Sequence, residues 1–594
     1  MESQGDVRFS KAEWGSDVIV EVLRDLGIEY VALNPGATFR GVHDSIVNFL
    51  GNKNPEMILC THEEIAVAIA HGYGKAAGKP MAAYVHNVVG LLHASMAIYN
   101  AWANRSSMLV LGGTGPMAAD GRRPWIDWIH TANVQGNAVR DFVKWDDQPA
   151  SVGSSIESLI RGYHITSSAP EGPVYICFDV ATQEEKIEEP IELPNISSFP
   201  KPTNFQADLD AMEKAVNLVV SAKNPVILAD FIGKAPEAAK SLIKLAELLS
   251  VPVISGGDLY NFPTNHPLNG TYSKKQLLQE ADVVLALDVY DLQQSLTGQD
   301  YRSRSLEHLL KPDASLIDIS LRQLSIRSWT HDYGGLYPTS LSVQADIKVA
   351  LPLLVELIER RLDDGIDRSV EFHRRFQVIE SMHNLAHESF REIVKNRSTE
   401  SPIALPFLAS ELWEVIKDKD WVLGNGNLRG WTERLWDYKE PYQVIDSRGG
   451  GGLGMGFGHA LGVALANKGK NRLTINIQSD GDFLFTPSAV WTAVHHKIPM
   501  LVVMYNNRTY GNDLGHQGLM AEVRGRPDEN KNIGIDIDDP YVDFAAMAKS
   551  FGAWGEGPIE DPSELRSALE RAVNEVINNG KLAVVDVITE LGDR

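Results

Sequence analysis

The stretch Ser479–Tyr510 constrains the fold of this chain more than any other. An acidic turn, Asp480–Asp482, directly follows the apolar run Leu473–Ile477. Asn506-Asn507 directly follow a second apolar run, Leu501–Tyr505, and a short helical pattern lies between the two. This order predicts two parallel strands joined by a helix, with both turns at one edge of a sheet. Oxygen ligands that meet there suit Mg²⁺ or Ca²⁺ together with phosphate, so the stretch predicts a metal–diphosphate site.

The rest of the chain repeats the alternation of short apolar strands and helical patterns, with two interruptions. The first, Gln183–Asn204, is rich in Glu, Pro and Ser and predicts an interdomain linker. The second, Val355–Ser401, is charged and helical in pattern, and predicts a solvated helix plus a connecting segment. We therefore predict an α/β protein of three doubly wound parallel-sheet domains, at residues 1–190, 205–360 and 375–594.

The predicted strands are short apolar runs, and most of them end in polar or glycine-containing turns. In the first domain they are Tyr30–Leu33, Met57–Cys60, Met81–Val85, Met108–Leu111 and Val174–Asp179. In the second they are Pro225–Ala229, Val251–Ser255, Val283–Leu287 and Ser315–Asp318. In the third they are Trp421–Leu423, Leu473–Ile477, Met500–Tyr505 and Ala583–Ile588.

Composition narrows the class of protein. At 594 residues the chain is too long for one core, and a net charge of −23 argues against a nucleic-acid surface. Cys60 and Cys177 both lie in strand-like runs, so we expect no disulfide framework and a reducing cytoplasm. The N-terminus has no apolar stretch of the signal-peptide type, and no run approaches the length of a membrane helix. We expect no membrane partner.

The acidic turn and the paired asparagines resemble the thiamine-diphosphate motif, although Ser479 stands where the family has its first glycine. The resemblance implies that the Asp480 and Asn507 side chains and the Thr509 carbonyl bind Mg²⁺. It also implies that Gly481 and Asp482 let the turn approach the diphosphate. The alternative is a pair of ordinary turns without a metal, since Asp-Gly and Asn-Asn are common turn sequences.

Residues 61–80 resemble the N-terminal signature of the same enzymes, a His-Glu pair followed by a small-residue helix. The resemblance makes Glu63 the glutamate that hydrogen-bonds the aminopyrimidine ring of the cofactor. A carboxyl group partly shielded from water at a helix start is also suited to share a proton with a ring nitrogen. The alternative is an acidic residue favoured by the helix dipole, which Glu64 fits better than Glu63.

Residues 447–466 resemble the glycine-rich segment of the family, in which backbone groups approach a flat ring without side chains between. The resemblance gives Gly451 a carbonyl contact with the 4-amino group. Leu453 would be the apolar residue that supports the bent cofactor, with Met455 as the rival for that role. The chain departs from the family at His459-Ala460, where Leu-Pro is usual. Further upstream, we expect diphosphate contacts from Gly424 and Asn425.

Within the superfamily the chain resembles benzoylformate decarboxylase and acetolactate synthase over nearly its whole length. The turn Asn34–Gly36 belongs to this likeness, and we expect Gly36 at the cofactor. His86 matches a proton-transferring histidine of benzoylformate decarboxylase, whereas Ala37 stands where that enzyme has a carboxylate-binding serine. We therefore expect a substrate held differently from an aryl 2-oxo acid. The superfamily also implies a homodimer as the minimal active unit and a homotetramer as the usual form.

Further polar candidates follow the metal motif and the first-domain strands. Asp513 lies six positions after Asn507, where pyruvate decarboxylases have a catalytic glutamate. It is either a proton donor or a solvated aspartate. His93 and the segment Trp125–His130 are pocket candidates, although histidines more often serve a core or a surface.

These residues predict a thiamine-diphosphate- and Mg²⁺-dependent enzyme. We expect it to cleave or form a C–C bond next to the carbonyl of a small 2-oxo acid or 2-hydroxy ketone. The electron-sink chemistry would come from the cofactor. An acetolactate synthase-type carboligase is the first alternative, and a non-catalytic thiamine-diphosphate-binding protein is the remote one. Because Asp230 follows the first strand of the middle domain, we expect no FAD.

Overall fold

The computed structural model describes residues 8–124, 126–256, 260–327, 330–331, 334–363, 368–445 and 449–591. Trp125, from the candidate segment in the first domain, and Ser447, from the glycine-rich segment, lie outside the described residues. Three parallel sheets, each covered by helices, follow one another along the chain. The predicted class of three doubly wound α/β domains is confirmed. The bounds proposed for the domains stay predictions.

The first domain contains a six-stranded parallel sheet in the order β3-β2-β4-β5-β7-β6. The strands of this part are β1 (Arg8–Phe9), β2 (Tyr30–Leu33), β3 (Glu56–Leu59), β4 (Met81–Val85), β5 (Met108–Thr114), β6 (Trp145–Asp147), β7 (Pro173–Asp179) and β8 (Glu192–Leu193). The helices are α1 (Gly15–Asp25), α2 (Arg40–Asp44), α3 (Glu63–Ala77), α4 (Val88–Ala103), α5 (Asp127–His130), α6 (Val152–Ser167) and α7 (Val180–Gln183). Strand β8 lies in the predicted linker and pairs antiparallel with β1, which ties the linker to the first domain.

The middle domain contains a five-stranded parallel sheet in the order β10-β9-β11-β14-β15. The strands of this part are β9 (Pro225–Ala229), β10 (Val253–Ser255), β11 (Val283–Leu287), β12 (Thr297–Gln299), β13 (Leu306–His308), β14 (Ser315–Ser320) and β15 (Leu341–Gln344). Strands β12 and β13 form a separate antiparallel pair. The helices are α8 (Leu209–Ser221), α9 (Pro236–Leu249), α10 (Lys274–Glu280), α11 (Leu292–Leu296) and α12 (Ile347–Asp363).

The charged segment after the middle domain forms a long helix, α13 (Ser369–Asn396). Only Ile379, His383 and His387 are buried on it among its 28 residues, which agrees with the predicted solvated helix. Arg375 donates hydrogen bonds to the carbonyl oxygens of Leu249 and Ser250, and so attaches α13 to the end of α9.

The third domain contains a five-stranded parallel sheet in the order β16-β17-β18-β20-β19. The strands are β16 (Trp421–Asn425), β17 (Leu473–Ser479), β18 (Met500–Asn506), β19 (Trp554–Ile559) and β20 (Leu582–Ile588). The helices are α14 (Leu405–Ile416), α15 (Trp431–Leu435), α16 (Met455–Asn467), α17 (Asp480–Phe483), α18 (Ala489–His495), α19 (Gly511–Val523), α20 (Phe544–Ser550) and α21 (Pro562–Ile577).

The sequence pattern missed one strand in each large sheet, and each of the three is an edge strand. Strands β6, β15 and β19 are only partly buried, so their residues form no continuous apolar run. The interior strands are buried on both faces, and the pattern located them to within one to three residues at each end. Among the described residues, no helix is long and apolar enough to cross a membrane.

Helices α3 and α16 join the first and third domains through a stripe of small residues. A Cβ atom at Gly72 would lie 1.9 Å from the His459 carbonyl oxygen. A Cβ at Gly462 would lie 2.0 Å from the Ile69 carbonyl oxygen. The two backbones are therefore in direct contact, and one apolar core continues from the first domain into the third. The contact fixes the start of α3 relative to the start of α16.

We predict that Gly462→Ala destabilises the protein by about 1–3 kcal/mol, because the new methyl group has no space in this contact. Gly153→Ala is the matched control, since a Cβ at this helical glycine meets nothing within 4 Å. The control should be neutral or stabilising by up to about 1 kcal/mol. Urea unfolding of both variants measures the difference. Equal unfolding curves for Gly462→Ala and wild type would contradict the proposed packing.

Candidate functional site

The carboxyl ends of β17 and β18 bring the predicted metal ligands to one edge of the third sheet. The two strands are parallel and pair Ser479 with Tyr505, so the turns that follow them are adjacent. The Asp480 carboxylate accepts hydrogen bonds from the backbone N–H of Gly481 at 2.9 Å and of Arg508 at 2.6 Å. The second bond links the acidic turn directly to the asparagine turn.

The asparagine turn is shaped by a left-handed residue, Arg508, with φ of +60°. The Asn507 side-chain oxygen accepts a hydrogen bond from the Thr509 N–H at 3.2 Å. The Thr509 hydroxyl is buried and has no hydrogen-bond partner among the described residues. Strained backbone of this kind often occurs where a turn must present polar groups in a fixed direction.

The donor set fits a hard divalent cation. Asp480 is 1% exposed, and burial raises the pKa of its carboxyl group to about 6. A bound cation would favour the charged form. Carboxylate, amide and backbone carbonyl oxygens at adjacent strand ends are ligands that Mg²⁺ accepts, with phosphate and water at the remaining positions. Asp480, Asn507 and Thr509 therefore fit the predicted site.

Asp482 faces the glycine-rich segment. Its carboxylate accepts a hydrogen bond from the Gly454 N–H at 2.7 Å and another from the Gln478 side chain at 2.5 Å. Burial raises its pKa. Beside it, a Cβ at Gly481 would lie 2.6 Å from the Tyr510 ring, so the turn needs glycine for close approach. Asp482 thus holds the glycine-rich segment next to the acidic turn, through the backbone of Gly454.

The carboxyl end of β16 is held by contacts with two other elements, α16 and β17. The Gly424 carbonyl oxygen and His459 Nδ1 are 2.8 Å apart. The Asn425 amide donates to the Asn476 side chain at 2.9 Å and to the Ile477 carbonyl at 3.1 Å. His459, which departs from the family pattern, therefore links α16 to the predicted diphosphate turn.

A first-domain residue, Asn100, holds the glycine-rich segment. Its side-chain oxygen accepts hydrogen bonds from the Gly450 N–H at 2.9 Å and the Gly452 N–H at 3.3 Å. Between them Gly451 is exposed, with φ of +74°, a conformation that favours glycine. Sequence reasoning gave Asn100 no role, although an amide side chain in the mostly apolar helix α4 is a usable signal; in the structure Asn100 is fully buried.

The two candidates for the apolar support of the cofactor differ in exposure. Leu453 is 42% exposed at the end of the glycine-rich segment. Met455 is 4% exposed and begins α16, where it packs into the protein. In this chain Leu453 presents a free apolar surface, whereas Met455 does not.

Glu63 is the first residue of α3 and is 4% exposed. Its carboxylate lies 3.2 Å from His93 Nδ1 on α4. A Cβ at Gly90 would lie 3.0 Å from the other carboxylate oxygen, so the glycine makes room for Glu63. The adjacent Glu64 points instead toward Gly454, and burial with nearby Asp482 raises the pKa of Glu64 to about 7.

His86 directly follows β4, and it forms a polar cluster with Thr38 and His130 at the carboxyl end of this strand. His86 Nδ1 lies 2.8 Å from the Thr38 hydroxyl, and the His130 ring packs edge-on at 5.6 Å. A Cβ at Gly36 would lie 2.6 Å from the His86 Cβ, which explains the glycine in the turn after β2. Burial, followed by the nearby His130, lowers the pKa of His86 to about 4.

Asp513 lies in the first turn of α19 and is exposed. Asp513 lies near the same edge of the third sheet as Asn507, but the described residues leave its side chain exposed to solvent. The contacts of Glu63 are with α4, and those of Asp480 are with the turns of the third domain. Glu64, next to Glu63, approaches Gly454, so the start of α3 lies beside the glycine-rich segment of the same chain.

Three family models match successive parts of the chain. They are "Thiamine pyrophosphate enzyme, N-terminal TPP binding domain" at residues 13–136, the central domain at 212–354 and the C-terminal TPP binding domain at 424–587. Acetolactate synthase of Bacillus subtilis is 24% identical over 94% of this chain and 91% of its own length. Acetolactate synthase isozyme 3 large subunit of Escherichia coli is 23% identical over 97% and 95%.

Solved structures share the fold over nearly the whole chain. Benzoylformate decarboxylase from Polynucleobacter necessarius superposes with a TM-score of 0.75 at 20% identity, covering 98% of this chain and 100% of its own. The thiamine diphosphate-dependent 4-hydroxybenzoylformate decarboxylase of Rhodococcus jostii RHA1 gives a TM-score of 0.74 at 20% identity, with coverage of 98% and 99%. At this identity the likeness shows the fold alone.

We predict that His86 stays neutral in the folded protein until the pH falls to about 4. Because this pKa is below that of an unfolded histidine, about 6.5, its contribution to stability is present above pH 6.5 and is lost as the pH falls toward 4. NMR titration of histidine-labelled protein measures the value, and His86→Asn assigns the resonance. A His86 midpoint near 6.5 would contradict the buried environment.

Proposed function

Because the chain belongs to the thiamine pyrophosphate enzyme family, we propose that it uses thiamine diphosphate and Mg²⁺ to cleave or form a C–C bond next to a carbonyl. The proposed substrate is a small 2-oxo acid or 2-hydroxy ketone. The observation that carries the proposal is the hydrogen bond from the Arg508 N–H to Asp480, which unites the acidic and asparagine turns at one sheet edge. Two ordinary solvated turns would not need this buried link.

The residues that would hold the cofactor lie at strand ends and turns of the third domain, with two more from the first domain. Asp480, Asn507 and the Thr509 carbonyl would bind Mg²⁺ at the end of β17 and β18. The residues that would surround the diphosphate and the rings are Gly424, Asn425, Gly451, Leu453, Met455, Gly481 and Asp482, with Gly36 and Glu63 from the first domain. When bound, the cofactor supplies an electron sink for the bond next to the carbonyl.

The chain's own acids and bases would control the protons. Glu63 would exchange a proton with the ring nitrogen, since its carboxylate is buried at a helix start. His86 would be neutral at neutral pH and able to accept a hydrogen bond, because burial lowers its pKa to about 4. Asp513 would be a proton donor or relay only if bound substrate or a partner chain shields it from water.

The direction of the reaction is the open choice within this proposal. A 2-oxo acid decarboxylase is supported by the fold shared with benzoylformate decarboxylase. An acetolactate synthase-type carboligase is the second candidate, because relatives named acetolactate synthase align with this chain over almost their full length. Ala37 at the turn after β2 has no side-chain donor for a substrate carboxylate, and this favours a substrate held from another side.

We further propose that the enzyme uses no FAD. The turn after β9 carries Asp230, whose carboxylate is buried and accepts a hydrogen bond from the Tyr290 N–H at 3.0 Å. A Cβ at Gly256 would lie 1.6 Å from the same carboxylate, so this acid lies deep in the turn. A carboxylate at this position would repel the negatively charged diphosphate of FAD and so oppose FAD binding.

The active assembly would be at least a homodimer. The membership of the thiamine pyrophosphate enzyme family supports a cofactor held between the first domain of one chain, with Glu63, and the third domain of another, with Asp480. A homotetramer is the expected form. Two free, buried cysteines support a cytoplasmic location.

We predict that the protein binds thiamine diphosphate with Mg²⁺ and converts at least one member of a panel of 2-oxo acids and acyloins. Mass spectrometry of the products distinguishes an aldehyde from a ligated hydroxy ketone. Glu63→Gln should retain the cofactor but lose conversion by at least about 100-fold, since general acid–base catalysis is removed. Tight cofactor binding without conversion of any panel member would contradict the enzymatic proposal.

A further inference from the structure

We propose that His93 is a positioning residue that orients the Glu63 carboxylate and supplies it with protons; this rests on the proposed thiamine-diphosphate function. His93 Nδ1 lies 3.2 Å from Glu63 Oε2, joining the second turn of α4 to the start of α3. Among the described residues, His93 is the only side chain that hydrogen-bonds to this carboxylate. The orientation of a buried acid therefore depends on one histidine.

His93 is itself held in place by the neighbouring histidine of α3. The His62 ring stacks on the His93 ring with centroids 5.1 Å apart and an angle of 23° between the planes. His62 Nδ1 accepts a hydrogen bond from the Glu64 N–H at 3.1 Å, so His62 caps α3. This cap requires an unprotonated Nδ1, and burial lowers the pKa of His62, which agrees with a neutral ring.

The same cluster has a composition that would suit a metal. His62, Glu63 and His93 each place one donor atom within 4.8 Å of the others. His93 Nδ1 faces the Glu63 carboxylate at 3.2 Å. The Nδ1 atom of His62 is also occupied by the helix cap. The geometry therefore points to proton sharing between Glu63 and His93.

The pair gives Glu63 a route to solvent. Glu63 is 4% exposed, whereas the His93 side chain is 52% exposed. If Glu63 gave its proton to a bound cofactor, His93 Nδ1 would pass one to Glu63 Oε2, and His93 Nε2 would recover one from water. The reverse transfers return the proton. A carboxylate without this neighbour would have to exchange protons through a buried site.

The test follows hydrogen–deuterium exchange at the thiazolium carbon of the bound cofactor across a range of pH. His93→Leu removes the proton-sharing partner and should slow exchange about 10- to 100-fold, the effect typical of losing a residue that orients a functional group. It should also remove one ionisation from the pH profile. The dissociation constant of thiamine diphosphate, measured by calorimetry, should change less than about threefold because His93 contacts Glu63 and not the metal turns.

Two further variants separate orientation from proton supply. His93→Gln keeps a hydrogen-bond donor but cannot titrate, so it should recover part of the rate and still lack the ionisation. His373→Leu changes an exposed histidine of α13 and should match wild type. The titratable groups next to the pair are His62, Glu64 and His86, and the further groups that act on these are His130, Arg123 and Asp482.

The outcomes distinguish the two proposals. If His93→Leu shows the exchange rate and pH profile of wild type while Glu63→Gln loses exchange, the role of His93 is overturned and the proposed function stands. If wild type binds no thiamine diphosphate, both are overturned. If His93→Leu fails to fold, as judged by circular dichroism, His93→Gln decides through its pH profile: an unchanged ionisation overturns the proposal.

Discussion

The contact between α3 and α16 is the constraint on which the rest of this structure depends. Gly72 and Gly462 bring the two backbones together at distances that exclude even a methyl group. This close crossing fixes the start of α3, with Glu63, relative to the start of α16 and the glycine-rich segment. It also places His459, which is bonded to Gly424, beside the buried ring of His71, with centroids 4.6 Å apart. Local turn chemistry alone could not set these relations between domains.

The candidate site concentrates desolvated acids at sheet edges and helix starts. Asp480, Asp482 and Glu64 all have raised pKa values because burial disfavours their charged forms. Hydrogen bonds from backbone N–H groups offset part of the free-energy cost of burying the Asp480 and Asp482 carboxylates. A fold stabilised only for its own sake would place such groups in water. Their burial is understandable when a metal ion and a polar ligand complete the site, and this connects the energetics of the fold to the proposed function.

The sequence predicts those parts of the structure that depend on local pattern. Interior strands are continuous apolar runs, and parallel strands must end at one edge, so Asp480 and Asn507 could be paired from sequence. Edge strands such as β19 are half-exposed and lack that pattern. The bond between His93 and Glu63 and the bonds that Gly450 and Gly452 donate to Asn100 depend on how separate helices and turns pack. Glu63 and His93 are 30 positions apart, and Asn100 and Gly450 are 350 apart; no spacing rule links such residues on different elements, so these contacts required the structure.

The central claim is that Glu63 of one chain and Asp480 of another act on the same cofactor. It is tested by co-expressing a Glu63→Gln chain with an Asp480→Ala chain and measuring thiazolium proton exchange in the purified mixture. Each variant alone should be inactive in exchange. In a symmetric two-chain site, random pairing should restore about a quarter of the wild-type signal, because half of the dimers contain one site without either substitution. No recovery in verified heterodimers would contradict the account and indicate a site within one chain.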